Sequence, residues 1–260
     1  MDVSEALDLA CGLADLADGI TMARFRAGDL RVATKPDLTP VSEADEAVER
    51  AVREQLARFP DHAVLGEEFG HHQPDPATEY RWIIDPIDGT KSYVRGVPIW
   101  ATLIGLERAG ELIVGVVSAP ALHMRWWAGR GLGAFRDGQP IHASSVGALD
   151  DAQVSFAWDT SDRFAADGIG DRLLALSHRC WRTRGIGDFW QHVLVAEGAF
   201  DIAIDPVVSL WDVAALVPIV EEAGARWSTI DGRDDVDGGS FVCTNGLLHD
   251  DVVAALAPER

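Results

Sequence analysis

Basic side chains are scarce in this 260-residue sequence: 22 lysines and arginines stand against 42 aspartates and glutamates, a formal charge of −20. A surface of that sign repels polyanions, and no lysine and arginine cluster stands apart from it, which argues against nucleic acid and the anionic face of a membrane as partners. Cysteine is scarcer still. Cys11, Cys180 and Cys243 are far apart and form no C-x-x-C pair, so neither a disulfide framework nor a zinc knuckle is expected, and all three read as reduced packing residues. No apolar run approaches the roughly 20 residues a membrane span requires. The start, Met1-Asp2-Val3-Ser4-Glu5, lacks the basic opening of a secretory signal. A cytoplasmic protein is expected. With 47% hydrophobic and 25% charged residues, the composition excludes general disorder and suffices for one large core or two smaller ones.

Leu9, Leu13, Leu16, Ile20 and Phe25 recur at steps of three to five, which predicts a first helix with one apolar stripe. A loop with two prolines, residues 34–40, leads to Ser42 and Asp45, an S-x-x-D capping signature ahead of a helix through Val48, Val52 and Leu56. The period then changes. Residues 62–65 and 81–84 are short apolar runs that end in acidic residues and read as buried strands. Residues 100–107, 111–118, 123–128 and 133–136 follow as an antiparallel meander, in which Trp126 and Trp127 read as packing residues. Beyond residue 145 the pattern gives strands at 154–158, 200–205, 226–230 and 240–244, with helices at 171–178 and 189–197, one from Trp211 to Gly224, and a last one near the end. The expected fold class is α/β, without a regular βαβ repeat. Two halves, residues 1–145 and 146–260, should pack tightly, because no polar linker divides them.

The most informative run is Trp82-Ile83-Ile84-Asp85-Pro86-Ile87-Asp88-Gly89-Thr90-Lys91. A buried strand delivers two carboxylates three residues apart, and Pro86, which has no N–H, helps hold a bend that could turn the Ile87 carbonyl toward the same hard cation. The N–H groups of Gly89 and Thr90 suit a phosphate if a helical turn starts there. Leu65-Gly66-Glu67-Glu68 again places acid after a strand, and Leu210-Trp211-Asp212 places it at a helix start. Taken alone, Asp212 reads as a helix cap and Glu67 as a solvated acid. His71 and His72 read as solvated loop residues, since no histidine pair has metal-ligand spacing.

Taken together, Gly66-Glu67-Glu68, Asp85-Pro86-Ile87-Asp88-Gly89-Thr90 and Trp211-Asp212-Val213-Ala214-Ala215 resemble the inositol monophosphatase superfamily of magnesium-dependent, lithium-sensitive phosphatases, in order and spacing over almost the whole chain. The runs 35–45, 131–135 and 244–246 support the likeness. Within the superfamily the chain resembles the histidinol-phosphate phosphatases through Arg184-Gly185-Ile186-Gly187-Asp188-Phe189 and through Asp205, seven residues before Asp212. One departure is Ala225, where many members carry a second glycine.

The resemblance implies a layered αβαβα sandwich and a homodimer. It implies that Glu67, Asp85, the Ile87 carbonyl, Asp88 and Asp212 hold two or three Mg²⁺. These would offset the carboxylates and lower the pKa of a bound water. Thr90 would position the attacking water, with Asp45 beside it as proton acceptor and Glu67 supporting catalysis. Asp45 also reads simply as a capping-box residue. Asp88, Gly89, Thr90 and Asp212 would face the phosphate ester, while Asp188 and Asp205 would meet the ammonium and imidazole of histidinol phosphate. Arg184 would contact phosphate or brace those acids, although an arginine beside two aspartates is often a surface ion pair. Inositol 1-phosphate and adenosine 3′,5′-bisphosphate are the rival substrates, and a non-catalytic acidic cation binder is the rival class.

Overall fold

A computed structural model describes residues 1–36, 38–69, 78–157 and 168–258. The chain opens with α1 (Val3–Arg24), capped by Asp2, whose carboxylate accepts the Glu5 N–H at 2.8 Å while Glu5 returns a bond to the Asp2 N–H at 3.0 Å. The face that α1 buries is Ala6, Ala10, Leu13, Ala14, Ala17 and Thr21. The expected leucine stripe shares only Leu13 with it. Alanines leave the helix axis close to the strands beneath, and the larger Leu9 and Ile20 pack around the margin of the same cluster. The expected loop at 34–40 is instead bracketed by a two-stranded hairpin, β1 (Val32–Thr34) and β2 (Pro40–Ser42). Three-residue strands carry too little periodicity to stand out in sequence.

Helix α2 (Glu43–Leu56) follows, then β3 (His62–Gly66), β4 (Tyr80–Asp88) and the short α3 (Thr90–Val94). The meander is β5 (Ala101–Arg108), β6 (Glu111–Ala119), β7 (Met124–Gly129), β8 (Gly133–Arg136) and β9 (Gln139–Pro140). These strands form a seven-stranded sheet in the order β3-β4-β5-β6-β7-β8-β9, antiparallel except where β3 runs parallel to β4. A second sheet collects β10 (Gln153–Phe156), β11 (Arg182–Arg184), β12 (Ile202–Asp205), β13 (Arg226–Ser228) and β14 (Phe241–Thr244), in the order β11-β10-β12-β14-β13. Its helices are α4 (Ile169–Ser177), α5 (Asp188–Ala196), α6 (Leu210–Val213), α7 (Leu216–Glu222) and α8 (His249–Leu256). Strand β11 escaped the sequence reading. Trp158, His71 and His72 lie outside the described residues.

Three apolar clusters define the layers. One packs α1 and α2 against the outer face of the large sheet through Leu13, Val48, Val52, Trp82, Ile104 and Val116. The middle one joins Leu103, Val117 and Trp126 to Phe189, Val193, Ile219 and Cys243, so α5 and α7 lie between the sheets. The third sets Leu173 and Leu176 of α4 and Val252 and Leu256 of α8 on the far face of the second sheet. The result is the αβαβα sandwich. Trp126 is fully buried and Trp127 stacks on Phe135 at 6.0 Å, as packing residues should. All three cysteines are free. Among the described residues no helix is long and apolar enough to cross a membrane.

The single helix expected from Trp211 breaks into α6 and α7. Pro218 has no N–H for the Ala214 carbonyl four residues back, and the break sets Ala214 and Ala215 directly on two sheet glycines. A Cβ on Gly105 of β5 would stand 2.9 Å from the Ala214 carbonyl carbon, and one on Gly115 of β6 only 2.0 Å from the Ala215 oxygen. Because the obstacle is backbone, it cannot swing aside. Gly115→Ala should therefore destabilise the protein by about 3 kcal/mol through overpacking, whereas Gly12→Ala, at an open position of α1, should stabilise it slightly. Urea denaturation of both variants checks this, and equal stabilities would contradict the close approach.

Candidate active site and metal centre

The run 82–91 forms the strand, bend and helical turn that its residue types suggested, with one refinement. Strand β4 continues through Pro86. Its pairing with β5 steps from Asp85 opposite Leu103 to Asp88 opposite Ala101, so one extra residue lies on β4 as a bulge. Pro86 belongs there because it has no N–H to give the ladder, and its carbonyl accepts the Thr102 hydroxyl at 2.8 Å. Gly89 then turns through φ +82°, a left-handed conformation that suits glycine. A side chain there would also meet the Ile99 carbonyl oxygen at 3.0 Å and the Asp188 carboxylate at 3.2 Å. Helix α3 starts at the next residue.

The bulge brings Asp85 and Asp88 to one place. One carboxylate oxygen from each, with one from Asp212, lie within 4.8 Å of one another. Asp212 comes from the other half of the chain, as the third residue of α6, where its Oδ2 accepts the Ser209 N–H at 2.7 Å. Asp45 is held the same way at the start of α2. Its Oδ2 accepts the Ser42 N–H at 2.9 Å and the Ser42 hydroxyl at 2.5 Å, while Oδ1 stands 3.4 Å from the Thr90 hydroxyl. The capping role and the reach toward Thr90 thus belong to different oxygens of one carboxylate. The Thr90 hydroxyl also lies 2.9 Å from the Ile87 carbonyl oxygen, its nearer acceptor.

Glu67 follows β3 and continues its ladder, donating its N–H to the Ile84 carbonyl at 3.3 Å. Its side chain stands outside the aspartate trio and meets Lys35, whose Nζ lies 2.7 Å from Glu67 Oε1 and 2.8 Å from Glu68 Oε1. An ammonium thus bridges two acids beside the trio. Burial pushes the carboxyls upward: Asp85 and Asp88 stand well above the usual carboxylate range, with Glu67 adding to the first and Asp188 and Asp212 to the second. Burial likewise raises Asp212 to about 7, Asp45 to about 6 and Glu68 to about 7. Hard oxygen donors converging within 4.8 Å, each resisting ionisation, fit divalent cations such as Mg²⁺ well.

Glu67, Asp85, Ile87, Asp88 and Asp212 line a cavity of about 560 Å³, which also takes in Gly89, Thr90, Lys91, Asp188, His192 and Asp205, while Asp45, Glu68 and Lys35 stand outside its lining. Asp188, the first residue of α5, has a left-handed backbone at φ +52° and a carboxyl raised to about 6 by burial and by Asp205. Its neighbour Phe189 donates its N–H to Asp88 Oδ2 at 2.6 Å, tying α5 to the trio. Asp205 ends β12 and pairs with the buried His192 at 2.6 Å, and among the described residues His192 Nδ1 has no partner. His192 was missed in the sequence. It stands four residues after Asp188, one helical turn, and that spacing was the available signal. Arg184 is exposed, donates to the Thr183 carbonyl at 2.7 Å, and is not among the residues lining the cavity.

The model of the inositol monophosphatase family matches residues 2–259. A histidinol-phosphatase of Mycobacterium tuberculosis is 53% identical over 96% of this chain and 97% of its own length. Another, of Streptomyces coelicolor, is 48% identical over 98% of each chain. Among solved structures, a Thermotoga maritima IMPase superposes with a TM-score of 0.86 at 29% identity, covering 97% of this chain and 96% of its own.

The raised carboxyls make stability depend on pH with a definite sign. A carboxyl that holds its proton more tightly in the folded chain stabilises it below the unfolded value, near 4, and that contribution is lost as pH rises through the folded value. With Asp45 and Asp188 at about 6 and Glu68 and Asp212 at about 7, the melting temperature of metal-stripped protein should fall between about pH 4 and pH 7. Saturating Mg²⁺ should flatten the fall at matched ionic strength. Equal slopes with Mg²⁺ and Na⁺ would show that the carboxylates bind no cation.

Proposed function

Because this chain belongs to the inositol monophosphatase family, whose members are metal-dependent, we propose that it hydrolyses L-histidinol phosphate to L-histidinol and inorganic phosphate, a step of histidine biosynthesis. The observation that carries the choice of substrate is the pair Asp188 and Asp205, two carboxylates lining the cavity in addition to the trio. A polyol phosphate offers them no positive charge. Histidinol phosphate offers an ammonium and a partly protonated imidazole, each able to form charge-assisted hydrogen bonds with a carboxylate. The names of the two bacterial relatives point the same way.

In this reading Glu67, Asp85, the Ile87 carbonyl, Asp88 and Asp212 hold two or three Mg²⁺, with Lys35 leaving Glu67 free to do so. Bound there, the cations supply neutralising charge and Lewis acidity toward water and the phosphate oxygens. Thr90 orients the attacking water. Asp45, already fixed by its cap and shifted toward neutral pH, takes the proton that the hydroxyl of Thr90 cannot accept alone. Asp188 and Asp205 hold the alcohol portion, and His192 keeps the Asp205 carboxylate in one orientation. Arg184 is left out of the contact set. The same reading takes the protein to be a cytoplasmic homodimer.

Phosphate release from histidinol phosphate, inositol 1-phosphate, adenosine 3′,5′-bisphosphate and fructose 1,6-bisphosphate tests the substrate directly. Asp188→Asn should lower kcat/KM for histidinol phosphate about 10- to 100-fold, the worth of one hydrogen bond to a charged group, and should hardly alter any inositol 1-phosphate turnover. Equal losses on both substrates would remove Asp188 from specificity.

The roles within the reaction separate by a second measurement. Thr90→Ala should lower kcat by about 10²-fold or more with Mg²⁺ affinity nearly unchanged, whereas Asp88→Asn should weaken Mg²⁺ binding and nearly abolish turnover. A Thr90 variant with normal kcat at saturating Mg²⁺ would contradict the role given to its hydroxyl.

A further inference from the structure

Glu49 takes no part in the reaction described above, yet its side chain is fully buried. It lies one turn beyond Asp45 on the inward face of α2. Its Oε1 accepts Nε and Nη2 of Arg53 at 2.8 and 2.7 Å, and its Oε2 accepts the Glu68 N–H at 2.7 Å. The Phe69 N–H reaches Oε1 at 3.4 Å. Arg53 in turn donates through Nη1 to the Val64 carbonyl at 3.2 Å. The chain is therefore gripped on both sides of Glu67, directly after it and, through Arg53, before it.

Gly66 makes this possible. A Cβ on that residue would stand 2.2 Å from Glu49 Cδ and Oε1 and 2.5 Å from Oε2. The carboxylate fills the space where any other residue would carry its side chain. A buried charge is costly unless paired, and a fully paired one is rigid. Glu49 meets both conditions through one guanidinium and two backbone N–H groups.

We infer that Glu49 is a positioning residue for Glu67: it fixes the turn 66–69 so that the Glu67 carboxylate is presented to the cation site at a set distance from Asp45 and Thr90. The inference rests on the proposed metal role of Glu67. Asp45 and Glu49 share one helix face, so α2 locates the partner of Thr90 and the turn of Glu67 as one rigid piece. Outer groups that orient a metal ligand typically contribute about 10- to 100-fold in metal affinity.

The test uses metal-stripped, full-length protein and reads Mg²⁺ binding by isothermal titration and by the Mg²⁺ dependence of melting. Glu49→Gln keeps the shape but cannot accept from Arg53 and both N–H groups at once, and Gly66→Ala displaces the carboxylate while keeping its charge. Both variants should raise the half-saturating Mg²⁺ concentration about 10-fold or more, and kcat should recover when Mg²⁺ is raised to saturation. Leu173→Ala, in the core of α4 and α8, supplies a variant that lowers stability without touching the site. If Glu49→Gln or, should that variant not fold, Gly66→Ala behaves like Leu173→Ala, with a lower melt and an unchanged Mg²⁺ midpoint, the inference is overturned. Glu67→Gln serves as the reference. A normal Mg²⁺ midpoint there would refute the metal role of Glu67 itself, a different failure from that of its brace.

Discussion

Mutual repulsion among carboxylates is the constraint around which this fold is organised. Glu67, Asp85, Asp88, Asp188, Asp205 and Asp212 all line one cavity. Two unit charges 4.8 Å apart, the outer limit within the trio, repel by about 3 kcal/mol at an effective dielectric constant near 20. Three such pairs approach the whole stability of an ordinary domain. Without a cation the acids must keep protons, which is what their upward shifts express, burial contributing most and the neighbouring acids adding to it, or borrow a positive charge, which is what Lys35 provides to Glu67 and Glu68. Both devices describe a site whose charge is left to be balanced from outside.

The backbone is arranged to tolerate this. Asp45 and Asp212 each cap a helix with one oxygen and keep the other for a further partner. The cap bonds favour the ionised form and partly oppose the rise that burial imposes on both groups. The β4 bulge aims Asp85 and Asp88 without any helix, and the bond from Phe189 to Asp88 carries α5, and Asp188 with it, to the same point. Glu49 is the counterexample that clarifies the rest: equally buried, it is matched by Arg53 and two N–H groups. A structural carboxylate here is satisfied by the chain. In the cavity trio the chain supplies Asp85, Asp88 and Asp212 with a backbone N–H each, from Ile87, Phe189 and Ser209, and, among the described residues, no cation to match the charge.

What the sequence disclosed follows the same division. Residues 82–91 could be read because every position there has a local reason: apolar run, acid, proline, acid, glycine. Asp45 is legible in the sequence as a cap because the S-x-x-D spacing is itself local, whereas the division of its two oxygens between Ser42 and Thr90 depends on the fold. His192, Glu49 and Lys35 were harder, since their partners Asp205, Glu68 and Glu67 are 13, 19 and 32 residues away. In α1 the leucine stripe misled because an alanine face, weaker in hydropathy, allows closer packing. The helix from Trp211 reads as continuous because its apolar spacing runs on across the break, and the partners of the broken turn, Gly105 and Gly115 beneath Ala214 and Ala215, are about 100 residues away in the chain.

Charge also bears on which phosphate esters this cavity would accept under the proposed reading. A substrate brings two negative charges on its phosphate into a chain of net charge −20, so long-range steering opposes every anionic monoester alike and cannot discriminate among them. Discrimination must come from short-range pairing inside the cavity, where Asp188 and Asp205 stand with only Lys91 and His192 to offset them among the lining residues. For an uncharged alcohol those two acids would gain no partner beyond Lys91 and His192 to replace the water they lose when the substrate enters, a cost on the scale of kilocalories. For an alcohol bearing an ammonium the same burial forms charge-assisted hydrogen bonds. One pair of carboxylates therefore works in both directions, attracting the cationic ester and penalising the neutral one, and the specificity of the proposed reaction is as much exclusion as recognition.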